Sequence, residues 1–158
     1  MGLEITPIGE VVEGRDDVAD DFWGGIESVI QLDESEFPLD SVQGLGEFSH
    51  LVVVWHFDKA SPADVEYHAR SPRGNAQWPA TGTFAHRNHR RPNQLAQSFP
   101  RLLKLDGLRL HVVDLDAVVG TKIYDVSPYF AEMGPQGSIR EPAWPGEMLA
   151  DYWKPKRN

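Results

Sequence analysis

The sequence predicts an all-β domain, a barrel or a sandwich, with a short helical extension at its C-terminus. Three observations predict it. Short runs of β-branched and aromatic residues recur between turns, two alternating apolar runs flank Asp106-Gly107, and a single stretch, Pro145 to Trp153, has helical spacing. With 158 residues the chain has room for one domain with a sizeable core. Residues 1–130 read as the β domain and 131–158 as a proline- and aromatic-rich extension.

Leu3 to Val12 carries apolar and β-branched residues around Pro7, which suits an edge strand or the start of a sheet. An acidic loop, Glu13 to Asp21, leads to Phe22-Trp23-Gly24-Gly25, two aromatics that could plug a core and two glycines fit for a turn. Ile26 to Leu32 predicts a second strand, and a polar connection follows to Leu45. Phe48 to Phe57, with Val52, Val53, Val54 and Trp55 nearly continuous, predicts a central strand, with Asp58 and Lys59 just past its end. Ala60 to Pro79 reads as a long loop. Thr81 opens a short apolar strand that gives way to a basic turn. Phe99 to Asp114 predicts a hairpin with a type I′ turn at Asp106-Gly107, placing Leu108, Leu110 and Val112 on one face and Arg109 and His111 on the other. Val118 to Val126 supplies a further strand. Pro145 suits a first helical position, with Met148, Leu149, Tyr152 and Trp153 forming the apolar side.

The formal net charge is −9, which on its face disfavours a nucleic-acid partner. The acidity is confined to one end. Residues 1–47 hold thirteen acidic side chains and one basic one, Arg15; the rest holds eleven acidic and fourteen basic. A polyanion therefore still finds a locally basic face, with strongly salt-dependent binding. No cysteine is present, so disulfides and thiolate metal sites are excluded. No apolar run reaches the roughly 20 residues of a membrane helix, and the acidic start is no secretory signal, so the expected setting is the cytoplasm.

Thr81 to Ser98 is the chemically densest stretch. It packs Arg87, Arg90, Arg91, His86 and His89 into six residues and closes on Pro92-Asn93. Proline presets an extended Arg91, so the run is a shaped loop, either solvated or facing an anion. No dinucleotide or Walker loop and no nucleophile elbow occur. His86-x-x-His89 lies among arginines that repel cations, and the acidic cluster Asp16, Asp17, Asp20, Asp21 lacks the EF-hand glycine and glutamate, so no metal is expected.

Phe84-Ala85-His86-Arg87 followed by Arg91-Pro92-Asn93 resembles the hallmark loop F-A-T-R-S-x-x-R-P-N-P-I-G of the tRNA methyltransferase O family, also called YaeB-like or TsaA-like. Val119-Gly120-Thr121-Lys122-Ile123-Tyr124-Asp125-Val126-Ser127-Pro128-Tyr129 resembles its D-G-T-P-x-x-D-I-K-P-Y, and Phe48-Ser49-His50-Leu51 its F-S-H-L. With Pro7-Ile8-Gly9, the likeness spans roughly residues 5–130 in order.

The resemblance implies a small single-sheet antiparallel β-barrel, working as a homodimer, that binds S-adenosylmethionine and methylates N6 of threonylcarbamoyladenosine in tRNA. It places the donor among Phe22, Trp23, Gly24, Asp58, Lys59, Arg87, Val119, Gly120 and Thr121. The donor carries a sulfonium, an ammonium, a carboxylate and an apolar purine, so a pocket with both charge signs and an aromatic or aliphatic slot suits it. On the acceptor side, Asp125 and Asn93 would steady the nitrogen's proton, Arg91 would meet an anionic group, and Tyr129 would stack on or bond the base. Taken singly, Asp125 also suits a strand-end cap, Asn93 a turn and Tyr129 the core.

The sequence departs from the family at His86, at Asn88-His89-Arg90, at Gln94-Leu95-Ala96, at Asp58 where histidine is frequent, and at Ser127. These changes surround the acceptor side more than the donor side. A donor-binding sensor or accessory subunit without methyl transfer is the alternative, and a purely structural β-domain is a third reading.

Overall fold

The computed structural model of the chain describes residues 1–156 and consists chiefly of one seven-stranded sheet. Its strands are β1 (Gly9–Glu13), β2 (Glu27–Leu32), β3 (Leu51–His56), β4 (Leu95–Ser98), β5 (Arg101–Asp106), β6 (Arg109–Val113) and β7 (Lys122–Pro128). They lie in the order β4-β3-β7-β1-β2-β6-β5, and each neighbouring pair is antiparallel. Among the described residues the one α-helix is α1 (Trp144–Met148).

Alternation builds the core. Leu51, Val53 and Trp55 of β3 point inward and meet Ile30 of β2, Leu110 and Val112 of β6, Ile123 of β7, Val11 of β1 and Leu115, all at most 4% exposed. Val52, Val54 and His56 take the opposite face, where cover is partial. β3 is paired on both sides, yet β1 holds the middle of the sheet and β3 lies next to the edge.

Three local expectations change. The first strand starts at Gly9 and not at Leu3: its pairing with β7 begins at Gly9–Ile123, leaving Leu3 and Ile5 exposed. Thr81 opens no strand. It makes a single bridge to Arg70, after which Thr83–Ala85 coils into a 3-10 turn. The hairpin stands where expected, but Asp106 pairs with Arg109, so Gly107-Leu108 form the turn. Gly107 has φ 59° and Leu108 is not left-handed, which is the φ pattern of type II′.

A bend at Phe99-Pro100 carries β4 into β5. Around it the Leu51 amide donates to the Pro100 carbonyl and Leu102 to that of Ser49, both bonds at 3.0 Å or less, while His50 bridges Arg101. A single bridge thus ties the start of β3, one strand in from the β4 edge, to the edge strand β5.

After α1 the chain folds back along residues 22–24. Phe22 and Trp23 donate to the carbonyls of Asp151 and Tyr152 at 3.2 and 2.8 Å, and Gly24 bridges Pro155. A side chain at Gly24 would collide with the Trp153 carbonyl. The strap is pinned by a polar chain: Trp55 Nε1 donates to Ser98 Oγ at 2.9 Å, and the Ser98 and Tyr152 hydroxyls both donate to the Asp116 carboxylate. Burial, and then the Asp116 charge, push the Tyr152 phenol far above its ordinary range.

Candidate active site

Some of the expected site residues lie around the C-terminal end of β3. His56 Nδ1 lies 2.8 Å from Asp58 Oδ1, and Asp58 Oδ2 accepts the Lys122 amide at 2.5 Å. Phe57 donates its amide to the Gln94 carbonyl at 3.0 Å, tying in the basic loop, and Lys59 Nζ donates to the Asp16 carbonyl at 3.1 Å. One strand end thereby links three of the segments expected at the site.

Within the basic loop, polar side chains set the shape. His86 is 4% exposed, its Nε2 3.0 Å from both Thr81 Oγ1 and the Thr81 carbonyl, and Arg91 donates to the His86 carbonyl at 2.8 Å. Gln94, in the left-handed region at φ 50°, donates to the carbonyls of Ser61 and His89. Arg87 donates to the Gln97 carbonyl, Arg90 to that of Asp64, and Arg70 to Thr83 and Asn88. Among the described residues none of these four guanidiniums forms an ion pair with a carboxylate. Burial, and next the Arg90 charge, lower the Arg70 pKa. Phe84 is 78% exposed at the loop's tip, with the Arg91 guanidinium 6.0 Å from its ring centre.

Asp125 pairs with Val54 on the outward face of β3 and β7, in one row with Gln97, whose carbonyl takes Arg87. Asp125 on β7 and Arg87 against β4 thus flank β3 on its two edges, Asp58 and Lys59 follow its end, and Arg91 and Asn93 lie in the loop that Phe57 holds. Tyr129 stands apart, just past β7 and seven residues from Lys122, about 23 Å at strand spacing, with its ring edge-on to Phe99 at 5.8 Å.

The donor-side residues divide. Gly120 has φ 91° and open space where a side chain would stand, so the Val119–Thr121 turn is approachable from outside, although Thr121 itself is buried. Trp23 is 4% exposed, its face covered by the Arg15 guanidinium at 4.3 Å and its Nε1 donating to Ala19. Arg15 also binds Asp17 and the carbonyls of Asp21 and Phe22, the latter left-handed at φ 68°. Sequence reading missed this organising arginine, although its isolation in an acidic stretch was a signal. It also missed His56, marked only by its outward position two residues before Asp58, and the Ser98–Asp116–Tyr152 chain, which joins positions too distant for any motif.

A cleft of about 820 Å³ between the 13–17 loop, β2 and the hairpin is lined by none of the expected donor residues, although its Asp16 carbonyl takes Lys59 and its Arg15 covers Trp23. No cluster of three metal-ligating side chains occurs among the described residues, and no helix there is long and apolar enough to cross a membrane.

Residues 21–134 match the family model described as the tRNA-methyltransferase O N-terminal domain. A human tRNA (adenine(37)-N6)-methyltransferase is 30% identical over 73% of this chain and 24% of its own length. An Escherichia coli protein of the same description is 36% identical over 63% of this chain and 44% of its own. A Pseudomonas aeruginosa putative S-adenosylmethionine-dependent methyltransferase is 29% identical over 97% of this chain and 66% of its own. The chain thus spans about a quarter of the human relative. A crystal structure of TrmO from P. aeruginosa has the same fold, with a TM-score of 0.70 at 21% identity, covering 91% of this chain and 62% of that one. The ordered loop motifs, the seven-stranded sheet and the match over residues 21–134 agree, and the chain belongs to the tRNA-methyltransferase O N-terminal domain family.

Proposed function

We propose that this domain is an S-adenosylmethionine-dependent methyltransferase acting on N6 of threonylcarbamoyladenosine in tRNA. The observation that carries the reading is the set of guanidiniums at Arg70, Arg87, Arg90 and Arg91, held in place by carbonyls and neutral side chains and not by carboxylates. Cations fixed in position and, among the described residues, without a direct ion pair suit a phosphate backbone, and the exposed Phe84 ring beside Arg91 suits an unstacked base.

The site's residues also fit the donor. Asp58 past the end of β3 and Arg87 beside β4 supply both charge signs, and the open Gly120 turn admits a ligand against its backbone. Asp58, Lys59, Arg87 and Val119–Thr121 would hold the donor, with Phe22, Trp23 and Gly24 forming the wall behind them. Once bound, the donor supplies an electrophilic methyl group. Arg91 would orient an anionic part of the acceptor, and Asn93 and Asp125 its N–H; together they fix an in-line approach and exclude water, whereas Tyr129, past the far end of β7, would meet the base only at its outer edge.

A homodimer of single-sheet barrels completes the reading. The bridge between β3 and β5 supports closure of the sheet. The outward strip of Val52 and Val54, continued by Phe99, Tyr129 and Phe130 at 48%, 37% and 47% exposure, supports an apolar self-interface. A cytoplasmic setting goes with a tRNA substrate.

A donor-binding protein without methyl transfer is the second reading, favoured by one observation: Tyr129, expected on the acceptor, lies past the far end of β7 against Phe99, away from Asp58 and Lys122. Incubation with labelled donor and bulk tRNA from cells with and without the threonylcarbamoyl modification separates the two. Label only in the modified pool supports transfer, whereas a donor-dependent rise in Tm with no label in either pool supports the second reading.

A further inference from the structure

We infer that His56, held by Asp58, is the base that takes the proton from the acceptor nitrogen, an assignment that rests on the methyltransferase reading above. A carboxylate only accepts, so the 2.8 Å contact to Asp58 Oδ1 places the ring proton on Nδ1 and leaves the lone pair of Nε2 outward. Among the described residues Nε2 has no hydrogen-bond partner, and the His56 side chain is 32% exposed. Asp58 is itself fixed from the other side by the Lys122 amide, so the carboxylate orients the ring as in a His–Asp pair.

Position completes the case. His56 closes the outward row of β3, two residues beyond Val54, which faces Asp125. A bulge between Val54 and Trp55 makes Tyr124 the extra residue of β7 and brings its ring to 6.4 Å from His56, edge-on. On the other side His56 pairs with Leu95, directly after the Arg91–Gln94 turn. The imidazole therefore stands between the two segments proposed to grip the acceptor. The charged and titratable groups on the elements packed around it are Asp58 on its own strand end, Lys122, Tyr124 and Asp125 on β7, and Arg87 and His89 in the basic loop.

The chemistry calls for such a base. A carbamoylated exocyclic nitrogen has its lone pair delocalised into the carbonyl, so it becomes nucleophilic as its proton leaves. In the step, the N–H proton passes to His56 Nε2, the nitrogen pair forms the new N–CH₃ bond, and the S–CH₃ pair returns to sulfur, leaving neutral thioether. The imidazolium is stabilised by Asp58 and returns its proton to solvent.

Two measurements test the assignment. Imidazole ¹⁵N NMR of the free protein is expected to show His56 with its proton on Nδ1, reverting toward the Nε2–H tautomer in Asp58→Asn. In single-turnover transfer, His56→Gln is expected to slow the reaction by about 100-fold and to flatten the rise of rate with pH, with donor affinity within about twofold of wild type. A His56 ring protonated on Nε2, or a His56→Gln protein as fast as an active wild type, overturns this inference and leaves the methyltransferase reading standing. A wild type that labels no tRNA overturns both.

Discussion

The β5–β6 hairpin and the Thr81–Gln94 loop both carry arginine and histidine, and they use them oppositely. In the hairpin, Leu110 and Val112 are fully buried, and Arg109 is matched by Glu13 at 2.8 Å and by Gln31. In the loop the guanidiniums bond to carbonyls and stay uncompensated, while the buried polar groups, His86 and Gln94, serve to hold backbone in place. The hairpin pairs Arg109 with a carboxylate, whereas the loop arginines, among the described residues, form no ion pair.

The largest effect that would break this contrast is Leu110→Ala, which should cost about 2–5 kcal/mol through the cavity it leaves. It should lower Tm by roughly 10 °C with tRNA affinity per folded molecule unchanged. Loss of RNA binding in the folded fraction would mean that the two regions are coupled. Tyr152→Phe removes one donor to Asp116 and should destabilise by about 1–2 kcal/mol in chemical denaturation at neutral pH. Its sign with pH follows from the raised phenol: the wild type keeps this contribution below the ordinary tyrosine range near pH 10 and loses it as pH rises beyond, so its stability should fall there. The Phe variant should show a shallower alkaline fall. Arg91→Ala should weaken tRNA binding by about tenfold and reduce the slope of affinity against salt, while calorimetry finds donor affinity intact. Equal loss of both ligands would remove the residue from the acceptor side. Arg87→Ala should weaken donor binding a few-fold, and an unchanged donor isotherm would take Arg87 out of that pocket.

Legibility followed the range of the determining interaction. The hairpin was readable because alternation and a Gly turn act within a few residues, and β2 and β3 because a short, dense run of apolar and β-branched residues does. β4 was not: its four residues become a strand because β3 pairs with them, and nothing in Leu95-Ala96-Gln97-Ser98 signals it. The turn type slipped by one residue because the bulge between Leu102 and Lys104 and the burial of Leu108 fix register from outside the dipeptide. In the site, the basic loop and the Gly120 turn were visible as composition and motif. Arg15 over Trp23, and Asp58 shared between His56 and the Lys122 amide, depend on segments that meet only in the folded chain.

The bend at Phe99-Pro100 gives the molecule a seam. Across it the Leu51 and Leu102 amides are tied to the Pro100 and Ser49 carbonyls, and proline brings no amide of its own to reinforce the stitch. In native-state hydrogen exchange, the Leu51 and Leu102 amides should therefore open before those in the middle of β2 and β6. Breathing at this line would loosen β4, and with it the turn that carries the basic loop.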